Sequence, residues 1–203
     1  GSRAWNALYQ QRPAPDEGSI IKRHWFQRYD ARKYVIEGKR VNYYFDTAYT
    51  DKEKNDPAGG IAYVKEGADF YVLEYAGDWM DFNAQVDFLE NFCDRNGYSR
   101  LSIARVEPKA TGISLVQVME KQTGLNIVEG KPPKGDKVAR ANSCSGTLEA
   151  GRVYLPQGMA WVDRFLDQCA AFPNAAHDEE VDCLTGMIIS ELSVKKPHTR
   201  QLN

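Results

Sequence analysis

The chain has 203 residues, of which 42% are hydrophobic and 27% are charged, enough for one globular domain with a sizeable core. Its formal net charge of −2 argues against a uniformly basic nucleic-acid-binding surface, although a local basic groove beside an acidic site remains compatible with it. No apolar run approaches the roughly 18 residues that span a bilayer, and no signal-peptide pattern opens the chain. We therefore expect a soluble, intracellular protein with no membrane partner.

The two ends of the chain differ from its middle. Residues 1–2, Gly-Ser, are typical of a tag remnant. Residues 3–40 are aromatic and basic without clear periodicity, so we expect an arm or linker that packs on the domain. Residues 194–203 are polar and basic and predict a flexible tail. Four widely spaced cysteines lack metal-binding spacing and are predicted to be reduced, partly buried thiols of a cytosolic protein.

The first half of the domain has strand and then helix periodicity. Three consecutive segments rich in β-branched and aromatic residues, at hairpin distances, predict an antiparallel meander: residues 40–50, 59–67 and 69–78. After Gly77 the apolar positions recur at helical spacing, from Phe82 to Cys93, and the pattern predicts an amphipathic helix that ends near Asn96-Gly97.

Strands and helices alternate in the second half. Apolar strand patterns occur at residues 100–107, 125–130 and 152–156, and helical patterns at 111–124, 136–151, 159–172 and 178–192. A meander that continues as strand-helix alternation predicts an α/β fold, in which helices flank a mixed central sheet of antiparallel meander plus parallel strands.

Two acidic residues follow apolar strand patterns directly. Asp46 ends the run Tyr43-Tyr44-Phe45, and Glu107 closes residues 100–107 just before Pro108. Ligands of α/β sheets gather outside the carboxyl ends of strands, so both side chains are candidates for a site. The alternatives are a turn-starting Asp and a solvated strand end.

A third group of acids opens the last predicted helix. Asp178 lies one turn ahead of Val181, at the start of an apolar stripe that continues through Leu184, Ile188 and Leu192, and Asp182 lies on the same side. Acids in a first turn complement the helix dipole, and Asp178 suits an N-cap. Capping does not account for Asp182. Glu179 and Glu180 are expected to face water.

Carboxylates from the first strand, the fourth strand and a late helix are in the order found in RNase H-like nucleases. In such enzymes two divalent ions, held by oxygen ligands, activate a water and stabilise the leaving 3′-oxygen of a phosphodiester. The clustered negative charge is then favourable, because bound Mg²⁺ or Mn²⁺ offsets it.

Five segments together resemble the C-terminal nuclease domain of the large terminase subunit of tailed bacteriophages, over most of the chain. The segments are "WNALYQQRP" with "EGSIIKRHWFQRY", "YYFDTAYT", "VEPKATGISLVQ", "DKVARA" with "EAGRVYLP", and "HDEEVDCLTGMI". They occur in the family's order. The resemblance implies an RNase H-like fold over residues 41–193, preceded by an arm or linker, residues 3–40, from an ATPase domain that the chain lacks.

The resemblance also implies a site and a reaction. It implies Asp46, Glu107 and Asp178 as catalytic, metal-binding carboxylates for two Mg²⁺ or Mn²⁺ ions, with Asp182 as an auxiliary metal ligand. The second Asp of the family's closing motif is Glu179 here, and its Ala is Cys183. The implied activity is metal-dependent endonuclease cleavage of double-stranded DNA, the concatemeric viral genome, during DNA packaging.

Basic residues near these acids are candidates for DNA binding. Lys137 and Arg140, three apart at a predicted helix start, fall where the family's motif has a Lys and an Arg, and we expect both to contact DNA. Lys109, beside Glu107, is expected to neutralise a phosphate or to orient the acid. A solvated charge run is the alternative for this basic stretch.

The family resemblance implies several partners and one compartment. The partners are the small terminase subunit, the portal and the motor's own ATPase domain, and the compartment is the host cell cytoplasm. Two other functions remain open from the sequence. One is a non-catalytic module that docks DNA or the portal, with structural acids. The other is the same fold acting as a nuclease that resolves DNA junctions.

Overall fold

The computed structural model describes residues 19–47, 57–108, 110–130, 135–175 and 178–192, and in these ranges it contains a seven-stranded mixed sheet of order β1-β7-β4-β3-β2-β5-β6. The predicted meander is confirmed. Strands β2 (Val41–Asp46), β3 (Ala58–Glu66) and β4 (Asp69–Asp78) pair antiparallel in sequence. Gly67, at φ +60°, makes the tight turn between β3 and β4.

The remaining strands add to both sides of the meander in parallel. Strands β5 (Ala104–Val106) and β6 (Ile127–Glu129) extend the sheet beyond β2, and β7 (Val153–Pro156) pairs with β4. The edge strand β1 (Gln27–Tyr29) pairs with β7 and comes from the predicted arm. No strand was predicted there, because three residues are too few to establish a period of two.

Five α-helices of the described ranges cover the two faces of the sheet. They are α1 (Phe82–Arg95), α2 (Ala110–Gln122), α3 (Lys137–Glu149), α4 (Ala160–Ala171) and α5 (Glu179–Leu192), as predicted. In this part of the chain, no helix combines the length and apolar character needed to cross a membrane.

Side-chain alternation along β2 separates two cores. Tyr43 and Phe45 pack with α1 and α2 on one face, whereas Tyr44 between them packs with α3, α4 and α5 on the other. The four cysteines are free and buried in these cores, which confirms that they are reduced and is more burial than the sequence predicted.

Helix α5 is buried on more sides than its sequence predicts. Glu179 and Glu180 were expected to face water, but their exposed fractions are 5% and 1%. The expectation was wrong because α5 lies against the sheet and also contacts α3 and α4, so little of its first turn reaches solvent. Arg164 of α4 lies 3.6 Å from Glu180. Leu192, predicted to be in the apolar stripe, is 59% exposed at the end of the helix.

Candidate active site

Asp46 and Glu107 lie side by side at the carboxyl ends of two parallel strands. Phe45 and Val106 are register partners, and the Glu107 amide donates to the Phe45 carbonyl at 2.9 Å. Neighbouring strands are about 4.8 Å apart. Because side chains alternate along a strand, both acids project to the face that Tyr44 shares with α3, α4 and α5. Both are buried, at 5% and 3% exposure.

A glycine lets α5 approach this face closely. A Cβ placed on Gly186 would lie 2.1 Å from ring atoms of Tyr44, and one on Gly59 would lie 3.1 Å from the Cys183 sulfur. Gly59 is the register partner of Asp46. Bare backbone at both positions therefore seats the helix on β2 and β3 and brings its amino-terminal acids to the same edge of the sheet.

Asp178 and Asp182 are held by two basic side chains of α3. The Lys137 ammonium lies 2.5 Å from Asp178 Oδ1 and 2.9 Å from Asp182 Oδ2. The Arg140 guanidinium donates to Asp182 Oδ1 at 2.9 Å and to Glu107 Oε1 at 3.2 Å. An unbroken chain of ion pairs thus runs from α5 through α3 to the end of β5.

The start of α3 is fixed by its own cap. The Asp136 side chain accepts a hydrogen bond from the Ala139 amide at 2.7 Å, as expected of an N-cap. Lys137 is the first residue of the helix and Arg140 follows three later, so both project from one side of its first turn. The cap therefore positions the two basic side chains opposite α5.

Burial dominates the electrostatics of the site. Burial raises the pKa of Asp182 above its usual value, although Lys137 and Arg140 act in the opposite direction. Burial alone would lower the pKa of Lys137, but its hydrogen bonds to Asp178 and Asp182 outweigh it and the pKa is raised. Burial also raises the pKa of Tyr44, with further contributions from Glu107 and Asp46. The site is therefore a poorly solvated, acidic environment that favours cations.

The structure brings together the four predicted acidic residues, which we call the acidic cluster: Asp46, Glu107, Asp178 and Asp182. Asp178 directly precedes α5, and its carbonyl accepts from the Val181 and Asp182 amides, as expected for a residue that begins a helix. Sequence reasoning missed Tyr44 and Gly186. A glycine inside an otherwise apolar helix was the available signal for Gly186, since it commonly marks a packing requirement.

The predicted DNA-binding residues have different surroundings. Arg140 is only 7% exposed and its guanidinium is occupied by Glu107 and Asp182, a geometry that favours a role in holding the carboxylates. The Lys137 side chain is 41% exposed and pairs with two acids. Lys109, the residues before 19 and those after 192 lie outside the described residues.

The donor set of the acidic cluster suits a hard divalent cation. In the described ranges no three His, Cys, Asp or Glu side chains are arranged to hold a metal ion, and Lys137 and Arg140 neutralise the acids instead. Carboxylate oxygens are nevertheless the ligands that Mg²⁺ and Mn²⁺ prefer. Three of the four carboxylates are buried, and a buried carboxylate needs a cationic partner. The chemistry of the cluster thus fits a divalent ion that competes with the basic residues.

Solved structures of terminases are similar to this one at low sequence identity. The large terminase nuclease from the thermophilic phage G20c, with bound zinc, aligns at a TM-score of 0.61 and 13% identity over 88% of this chain and 100% of that one. The human cytomegalovirus terminase nuclease domain, Mn soaked and inhibitor bound, gives 0.58 and 14% over 85% and 94%. A large terminase from another thermophilic bacteriophage gives 0.61 and 9% over 85% and 44%.

The sequence comparisons give no match: no protein-family model and no curated protein corresponds to the chain. The chain spans less than half the length of the third of these structures, the large terminase, but nearly all of the two nuclease domains. The predicted mixed sheet with flanking helices is confirmed, and the chain has the RNase H-like fold of terminase nuclease domains.

Proposed function

We propose that the chain is the nuclease part of a viral DNA-packaging motor, a metal-dependent endonuclease that cleaves double-stranded DNA. One observation supports this most: Asp46 and Glu107 on adjacent strand ends meet the acids at the start of α5, at one edge of a sheet whose fold is that of terminase nucleases. The carboxylates on the sheet and those on the helix are linked through Arg140, which pairs with Glu107 and Asp182.

The proposed ligands are Asp46, Glu107 and Asp178, with Asp182 as an auxiliary ligand. Two bound Mg²⁺ or Mn²⁺ ions would supply an activated water and a Lewis acid for the leaving 3′-oxygen. Two similar nuclease structures, one with bound zinc and one Mn soaked, support a divalent cofactor. Arg140 would be a positioning residue, because it touches Glu107 and Asp182 but lies too deep to reach a DNA backbone.

The partners and the substrate follow from the same proposal. Concatemeric viral DNA would be the substrate, with Lys109 and Lys137 as candidate contacts to phosphates. The ATPase domain, the small terminase subunit and the portal would be partners, in the host cytoplasm. The similar large terminase, of which this chain covers 44%, supports a longer motor protein of which a nuclease is one part.

Plasmid cleavage by the purified chain tests the proposal. With Mn²⁺ or Mg²⁺ we expect nicked and linear products, and EDTA should abolish them. Replacing Asp46 with Asn should reduce the rate by two or more orders of magnitude and leave the far-UV circular dichroism unchanged. Asp69→Asn is a matched control, because Asp69 pairs with exposed Arg152 at the opposite edge of the sheet.

The outcomes separate the three functions considered for the sequence. Normal DNA binding without cleavage in either metal would refute an enzyme and favour a docking module. Faster cleavage of four-way junctions than of linear duplex would favour a resolving nuclease. Unchanged cleavage by the Asp46→Asn variant would remove that residue from the site.

A further inference from the structure

Lys137 occupies a cation-binding position in the acidic cluster. Its ammonium lies between carboxylate oxygens of Asp178 and Asp182, at 2.5 and 2.9 Å. Two carboxylates that converge on one positive charge also constitute part of a divalent-metal site. The ammonium and a divalent ion would therefore compete for the same oxygens, if the proposed function is correct.

The two basic residues of the cluster differ in how easily they can leave. The Arg140 side chain is 8% exposed and is fixed by Glu107 and Asp182, so its withdrawal would leave buried charges unpaired. The Lys137 side chain is 41% exposed and Asp178 is 28% exposed. A flexible four-carbon chain with a compact, strongly hydrated head can move from this position into water at modest cost.

Arg140 would also keep the cluster assembled during such an exchange. It bonds Asp182 through one guanidinium nitrogen and Glu107 through the other, independently of Lys137. Asp182 therefore retains a partner when the ammonium leaves. One fixed and one exposed basic side chain provide a stable frame with an exchangeable charge.

We propose that Lys137 is an internal counter-cation, which holds the acidic cluster together without metal and is displaced when a divalent ion binds. This inference rests on the proposed metal site and adds a device that controls its occupancy. It also connects the ion pairs in the structure with the DNA contact expected of Lys137, because the displaced ammonium becomes available to other anions.

Calorimetric titration with Mn²⁺ alone, without DNA, tests the exchange. Replacing Lys137 with Met keeps the aliphatic stem and removes the competing charge, so the Mn²⁺ dissociation constant should fall on the order of tenfold, as expected for one charge a few ångströms away. Lys39→Met is the matched control. The Lys39 side chain is 31% exposed and lies 2.6 Å from Glu66, which ends β3 at the edge of the sheet far from the site, and its loss should change the constant less than about twofold.

Acylation of the wild-type amines gives a second measurement that needs no variant. The rate at which an N-hydroxysuccinimide ester labels Lys137, followed by peptide mass spectrometry, should rise severalfold with saturating Mn²⁺, because the ammonium leaves its carboxylate partners. Lys39 in the same sample should label at a constant rate.

The results distinguish this inference from the proposed function. Equal or weaker Mn²⁺ binding by the Lys137→Met variant, or an unchanged labelling rate of Lys137, overturns the exchange even if Mn²⁺-dependent cleavage is observed. Absence of Mn²⁺ binding to both wild type and variant overturns the exchange and the metal site together.

Discussion

The contact between Gly186 and Tyr44 predicts a large effect from one added methyl group. Gly186 lies in α5, and a Cβ there would be 2.1 Å from two ring atoms of Tyr44. Ordinary carbon contacts lie at about 3.5–4.0 Å, so helix and ring would have to separate by more than an ångström. Tyr44 is 3% exposed in the middle of β2 and has no free space to enter.

Two opposing terms determine the magnitude for Gly186→Ala. Alanine gains about 1 kcal/mol of helix propensity over glycine. Overpacking of a core costs about 1–3 kcal/mol, and an overlap this short with a buried ring belongs at the upper end or beyond. We expect a net loss of about 1–2 kcal/mol in the free energy of unfolding. The helix should also move away from the sheet and carry Asp182, one turn earlier, away from Glu107.

Urea unfolding and Mn²⁺ calorimetry measure the two effects, and the chain offers a matched control. Gly146 lies in α3, and a Cβ there would have no atom within 4 Å. Gly146→Ala should therefore raise the free energy of unfolding by about 0.5–1 kcal/mol through helix propensity alone. Gly186→Ala should lower it and weaken Mn²⁺ binding.

Equal stabilisation by the two substitutions would refute the close approach of α5 to β2. A double-mutant cycle with Tyr44→Leu gives a second test, since a smaller side chain opposite the introduced alanine should recover part of the loss. A coupling free energy near zero would show that the two positions do not touch.

Three further predictions concern buried charges and thiols. Arg140→Met should cost about 3–5 kcal/mol in urea unfolding because it leaves buried acids without their cation, and Arg152→Met, at an exposed pair, should cost less than about 1 kcal/mol; equal costs would contradict the assigned burial. Glu191→Gln should destabilise by about 3 kcal/mol, because Glu191 is buried against Tyr63 and Arg105, yet leave the Mn²⁺ dissociation constant unchanged, since it lies at the far end of α5. Burial raises the pKa of Cys144 to about 11 and of Cys93 to about 12; the unfolded chain therefore loses these protons first, and the free energy of unfolding should fall as pH rises from about 9 towards 11, whereas a flat profile would contradict the burial.

The elements and the positions of the acids could be predicted from local patterns. Alternation over β2, β3 and β4 and helical spacing from Phe82 to Cys93 each repeat several times within one element, so neighbouring residues suffice to identify them. Asp46 and Glu107 are recognisable because each ends an apolar strand. Strand β1 has three residues and owes its conformation to β7, so its own sequence contains no comparable signal.

The partners of the acids could not be predicted, because they depend on how helices pack. Lys137 and Arg140 have the spacing of a basic helix start, which suits a DNA contact and an ion pair equally well. Only the position of α5 beside α3 places Asp182 within 2.9 Å of both. The burial of Glu179 and Glu180 has the same origin, since a first turn rich in acids normally faces water.

The charge balance of the acidic cluster gives a reason for its burial. When ionised, its four carboxylates exceed the two basic side chains Lys137 and Arg140 by two negative charges. A protein selected only for stability would gain by replacing such a group with apolar residues of similar volume. Excess buried negative charge is instead what a divalent ion requires, and the repulsion within the cluster is relieved when the ion binds. The proposed metal site therefore predicts that Mn²⁺ raises the unfolding temperature of the wild-type chain, and that the Asp46→Asn variant loses most of this increase.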